Sequence, residues 1–168
     1  AACAVALLLA PAPAAGETAA PIIAENARIH PVLARHGMVA SQEAHATRIG
    51  VSILERGGNA VDAAVAVGFA LAVTLPRAGN LGGGGFMLVH LAAPRKTIAI
   101  DYRETAPAAA ARDMFLDASG NADPAKSRHS GLAVGVPGTV AGLALVHAKY
   151  GSGRFSLADL IRPAIRFA

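Results

Sequence analysis

The chain has 168 residues, 15 Lys+Arg against 11 Asp+Glu, and is 54% hydrophobic with only 4% aromatic residues. That length supports one domain with a sizeable core, and the Ala-, Val-, Leu- and Ile-rich composition predicts closely packed helices and sheets. The formal net charge of +4 comes from scattered basic residues such as Arg28, Arg35, Arg48, Arg56 and Arg77, and no stretch interleaves Lys or Arg with aromatics, which argues against a nucleic-acid-binding surface.

Ala1 to Ala10 is an apolar run containing Leu7-Leu8-Leu9, followed by the small residues of Ala12-Pro13-Ala14. This predicts a truncated secretory signal peptide over residues 1–15, and with it a periplasmic or secreted protein. An Ala/Pro-rich tail is the alternative. The run falls short of the roughly 20 residues of a membrane-spanning helix. Cys3 is the only cysteine, and it would leave with the signal, so disulfides and cysteine catalysis are excluded for the rest of this segment. A lipobox is not expected, because the apolar run follows Cys3. Residues 16–36 read as a linker or extended arm, and 37–168 as the folded domain.

Met38-Val39-Ala40 is a short strand candidate. Ser41 is placed to cap a helix over Gln42–Arg56, whose Ala46, Ile49, Gly50, Ile53 and Leu54 share one face. Gly57-Gly58 ends it, since glycine tolerates the left-handed conformation there. Asn59 caps a second helix, Ala60 to Leu75, with Asp62 suited to the positive end. That helix is apolar nearly all round, which predicts burial, and Pro76 ends it. Next come the consecutive glycines Gly82 to Gly85. Glycine loses the most backbone entropy on folding, so such a run marks a place of unusual turning or close approach. Strands follow at Phe86–Leu91 and Ile98–Glu104, joined by a turn around Pro94-Arg95-Lys96. Asp113–Asp117 is a short helix or strand, Ser119–Pro124 is turn-rich, and Lys126–Gly131 reads as a loop. A second glycine turn at Gly135–Thr139 opens a helix over Val140–Lys149, closed by Tyr150-Gly151. Ser156 and Asp159 form a capping-box pattern for a last helix from Leu157 to the chain end. Pro163 should kink or split it.

The glycines fit no nucleotide-binding pattern. A phosphate loop requires Gly-Lys-Ser/Thr where this chain has Gly85-Phe86-Met87, and a G-x-G-x-x-G fingerprint follows a strand, whereas this loop follows a helix. A G-x-S-x-G nucleophile elbow is absent. His30, His36, His45, His90, His129 and His147 are isolated and lack metal-ligand spacing, so no cofactor or metal is expected. Arg103 ends a strand between Asp101 and Glu104. It could belong to an ion-pair network, or it could present two parallel donors to a carboxylate while the flanking acids fix its direction.

Several motifs, taken together and in order, resemble the γ-glutamyltranspeptidase (glutathione hydrolase) family. They are Gly57-Gly58-Asn59-Ala60-Val61-Asp62-Ala63-Ala64, the stretch Pro76 to Met87, Asp101-Tyr102-Arg103-Glu104, and Pro137-Gly138-Thr139-Val140-Ala141-Gly142. The resemblance runs from about Gly37 onward and matches the N-terminal part of the large subunit. It implies an α+β fold, the four-layer αββα sandwich of N-terminal-nucleophile hydrolases, only partly present in this chain. It also implies a self-cleaving precursor that forms a heterodimer with its small subunit. A threonine opening the small subunit would attack γ-glutamyl compounds such as glutathione and pass the acyl group to water, an amino acid or a dipeptide. Arg103 would bind the α-carboxylate of the γ-glutamyl group. Thr47, Thr74, Thr97, Thr105 and Thr139 do not sit in the nucleophile's context, so these residues alone are expected to be inactive. Related glutaryl or cephalosporin acylases, and a non-catalytic binding protein on the same scaffold, remain as alternatives. The glycine run would then be part of the pocket wall or a helix-to-sheet packing device.

Overall fold

The longest helix begins where Asn59 and Asp62 exchange hydrogen bonds. The Asn59 Oδ1 accepts from the amides of Val61 and Asp62 at 2.9 and 3.0 Å, and the Asp62 carboxylate accepts from the Asn59 amide at 3.0 Å. This reciprocal cap satisfies donors that a helix start leaves free. The computed structural model describes residues 32–168, so the signal peptide and most of the arm expected over residues 1–36 lie outside the described residues. Within it, α1 spans Ala44–Glu55, α2 Ala60–Thr74, β1 Phe86–Leu91, β2 Lys96–Asp101, α3 Pro124–His129, α4 Thr139–Tyr150 and α5 Leu157–Ile165, with a 3-10 turn at Gly131–Ala133.

Helix α2 is the centre, with α1, α4 and α5 packed on it. Ile53 of α1, Val65 and Phe69 of α2, Val89 of β1, Val146 of α4 and Leu160 of α5 share one core. The two strands form an antiparallel hairpin in which Phe86 pairs with Asp101 and Leu91 with Lys96. Alternation sends Met87, Val89 and Leu91 to that core. The opposite face carries Phe86 and Leu88, which are 65% and 74% exposed.

The first two helices, their glycine stop (Gly57, φ +84°) and the hairpin lie where the sequence predicts them. Several details differ. Met38–Ala40 is not a strand: it pairs with no strand among the described residues, and Val39 instead lies over Gly50, where an added Cβ would come within 2.8 Å of it. Glu43, not Ser41, caps α1, because its longer side chain reaches the amides of His45 and Ala46. Strand β2 stops at Asp101, whose carboxylate accepts from the Arg103 amide and turns the chain. Asp113–Asp117 forms a turn and a single bridge between Leu116 and Ala122. The expected loop after Pro124 is helix α3, with Asp123 capping the amides of Ala125 and Lys126 and Pro124 in the first turn, where its missing N–H costs nothing. Helix α5 is a single element ending at Ile165, with Pro163 buried inside it.

Asp62 is fully buried. Besides the cap, it accepts from the Ser152 amide at 3.2 Å and lies 3.9 Å from the His147 Nε2. The Asn59 Nδ2 donates to the Tyr150 carbonyl at 2.8 Å. The start of α2 is thereby tied to the end of α4. A buried carboxylate is tolerated only with such partners. Asp62→Ala leaves the Asn59 and Ser152 amides without their acceptor and should lower unfolding free energy by roughly 2–4 kcal/mol. Removing the exposed α5 cap with Ser156→Ala should cost about 1 kcal/mol. Urea denaturation of both variants measures the difference.

Candidate functional site

The glycine run meets the segment after β2 so closely that Gly84 has no space for a side chain. A Cβ built on Gly84 would lie 2.5 Å from the Tyr102 carbonyl oxygen and 2.8 Å from the Arg103 Cα. The Tyr102 amide donates to the Gly85 carbonyl at 2.9 Å, which continues the hairpin pairing one step beyond the strands. The Gly83 carbonyl accepts from the amides of Gly138 and Thr139 at 2.9 and 3.0 Å. These amides open α4, whose N-cap Gly138 has no side chain to do so. The loop itself therefore caps the helix.

Helix α4 closes on the same segment from the other side. A Cβ on Gly138 would overlap the Tyr102 carbonyl, and one on Gly142 would overlap the Tyr102 ring. The ring is half-buried, which pushes its hydroxyl pKa up, and the hydroxyl donates to the Phe86 carbonyl at 3.5 Å. Thr105 and Val136 exchange backbone hydrogen bonds at 3.3 and 2.8 Å. Residues 102–105 are thus gripped between two glycine turns that are distant in sequence.

Arg103 stands out from this grip with its side chain 63% exposed. Its Nε donates to the Glu104 carboxylate at 3.3 Å, and its guanidinium lies 5.7 Å from the centre of the Phe86 ring. Among the described residues, its two terminal nitrogens make no hydrogen bond. Of the flanking acids, only Glu104 touches the guanidinium; Asp101 holds the backbone amide instead. The Glu104 carboxyl is held below the usual glutamate range by its own backbone amide, by the Arg103 guanidinium and by the Gly84 amide, against a partial opposing effect of burial. A cleft of about 360 Å³ beside Arg103 is walled by Pro107, Met114, Phe115 and Leu132. A second, of about 270 Å³, lies on the glycine-loop side between Arg77, Asn80, Gly83, Glu104 and Thr139.

This arrangement can bind an anion: it has a planar cation, oriented at Nε, whose outer donors make no hydrogen bond among the described residues. Three of the threonine hydroxyls are engaged elsewhere. Thr47 bonds the Glu43 carbonyl and Thr74 the Ala70 carbonyl. Thr97 meets His90 at 3.0 Å on the exposed hairpin. Among the described residues there is no grouping of three or more His, Cys, Asp or Glu side chains able to hold a metal. The part played by Tyr102, Gly138 and Gly142 was not anticipated from the sequence. The one available signal was the four-residue spacing of the two glycines, which places both on one helix face.

The model of the family described as gamma-glutamyltranspeptidase matches residues 46–168. The glutathione hydrolase proenzyme of Escherichia coli K12 is 60% identical over 139 residues, covering 83% of this chain and 23% of that protein. The chain thus spans about a quarter of the length of the curated relatives it matches. The crystal structure of Helicobacter pylori gamma-glutamyltranspeptidase superposes with a TM-score of 0.78 at 50% identity, covering 82% of this chain and 39% of that one. A cephalosporin acylase from Bacillus halodurans superposes with a TM-score of 0.64 at 26% identity, covering 87% and 27%.

Two outcomes follow from this geometry. Gly84→Ala should destabilise the domain by roughly 2–4 kcal/mol through backbone overlap, whereas Gly131→Ala, with open space around it, should change stability by less than about 1 kcal/mol in the same denaturation experiment. Because the Glu104 pKa is depressed in the fold, its stabilising contribution is present above the ordinary glutamate value and is lost as pH falls through the folded value. Arg103→Ala should raise the Glu104 midpoint, read by NMR titration of its side-chain carboxyl.

Proposed function

Because this chain belongs to the gamma-glutamyltranspeptidase family, we propose that the protein it is part of transfers and hydrolyses the γ-glutamyl group of glutathione and related compounds. The observation that carries this is Arg103, held by its backbone and at Nε with its outer donors open, within a sequence 60% identical to a glutathione hydrolase proenzyme. Its fork would take the α-carboxylate of the γ-glutamyl group and place the γ-carbonyl for attack. The nucleophile is a threonine hydroxyl exposed by self-cleavage of the precursor, with its own α-amino group as base. It lies outside these residues, on a small subunit that completes the heterodimer.

The described helices and hairpin would form part of one half of a four-layer αββα sandwich, with the Phe86–Leu88 face turned toward a second sheet. The signal-like start supports export to the periplasm or beyond. No described helix is long and apolar enough to cross a membrane. A glutaryl or cephalosporin acylase is the second possibility, supported by the Bacillus halodurans superposition. The identities, 60% against 26%, favour γ-glutamyl substrates.

In the full-length processed enzyme, Arg103→Lys keeps the charge and removes the planar fork. Losing one charge-assisted hydrogen bond, about 1.5–3 kcal/mol, should raise KM for a γ-glutamyl anilide by roughly 10- to 100-fold. An unchanged KM would reduce Arg103 to a surface ion pair. Faster cleavage of a glutaryl than of a γ-glutamyl anilide by the unaltered enzyme would favour the acylase.

A further inference from the structure

We infer that Tyr102, seated against Gly142 of α4, is the positioning residue that sets where the Arg103 guanidinium stands. The inference rests on the proposal that Arg103 binds the substrate carboxylate. Arginine has a long, flexible side chain, and at 63% exposure little packing restrains this one. What is fixed is its root, which Tyr102 holds, and the backbone of Phe86, the residue whose ring lies beside the guanidinium. Its backbone pairs with Gly85, which places the Arg103 Cα against Gly84. Its hydroxyl bonds the Phe86 carbonyl, and Phe86 supplies the ring near the guanidinium.

The ring of Tyr102 stays in place because Gly142 offers it a flat helix surface; any Cβ there would occupy the same space. Tyr102 is only half-buried and stands outside the buried core of Ile53, Val65, Val146 and Leu160. Its contacts converge on the seat of Arg103. Movement of Tyr102 by a methyl group's width therefore moves the fork relative to the carboxylate. Misplacements on that scale are costly in sites that act by positioning.

The test uses the full-length processed enzyme and two competitive inhibitors, L-glutamate and 4-aminobutyrate, which lacks the α-carboxylate. Gly142→Ala should raise the inhibition constant of L-glutamate about tenfold and that of 4-aminobutyrate less than about twofold. If Gly142→Ala does not mature, Tyr102→Leu is measured in its place, with the same expectation. In an Arg103→Lys background the added substitution should have almost no further effect on L-glutamate, because both act through one group. Equal weakening of both inhibitors, or additive effects in the double variant, would leave Tyr102 with a packing role and overturn the inference. Arg103→Lys alone leaving L-glutamate inhibition unchanged would instead overturn the carboxylate-binding role of Arg103.

Discussion

The backbone contact between Gly83–Gly85 and Tyr102–Glu104 is the constraint on which the site depends. Two chain segments meet there so closely that Gly84 admits no Cβ. Three features follow from that one contact. The hairpin gains a backbone pair beyond its strands, α4 gains its cap from the Gly83 carbonyl, and Arg103 is fixed at its root. The entropy lost in ordering several glycines is offset by hydrogen bonds that a bulkier loop could not bring into range.

Charge is used in two different ways in this domain. Asp62 has no solvent exposure and is surrounded by donors from two distant segments, so it holds structure together. The Arg103–Glu104 pair is adjacent in sequence and largely exposed, and surface pairs of this kind contribute little to stability. Its consequence is directional: engaging Nε leaves the outer nitrogens of the fork free to turn outward. The same chemistry therefore secures the fold at one place and presents an exposed guanidinium at another.

Much of the fold was legible because its signals are local. The Asn59–Asp62 cap, the stop at Gly57, the all-round apolar α2 and the alternation of β1 are each contained within a few residues. Helix α3 is hard to see in the sequence because Asp123-Pro124 ends a turn-rich stretch, where a cap looks like one more turn residue. Ser41 carries the intrinsic cap preference, but the helix starts at Ala44 and the reaching Glu43 carboxylate caps it. The partners of Asp62 could not be seen at all, since Ser152 stands 90 positions away. For the site, the close approach implied by the glycines was legible, but what they approach was not. The sequence put Asp101 and Glu104 on equal terms beside Arg103, and only the turn after β2 separates their tasks.

The span between Asp62 and Ser152 also has a consequence in time. On a ribosome adding roughly 5–20 residues per second, the 90 intervening positions take roughly 5–18 s to appear. Through that interval the start of α2 can form its own local cap, but its carboxylate has no Ser152 amide to enter the interior with. Helix α2 must wait partly hydrated until the end of α4 emerges, so docking of that junction follows the start of α2 by that interval. The apolar faces of α2 that α4 and α5 will cover stay open at least as long.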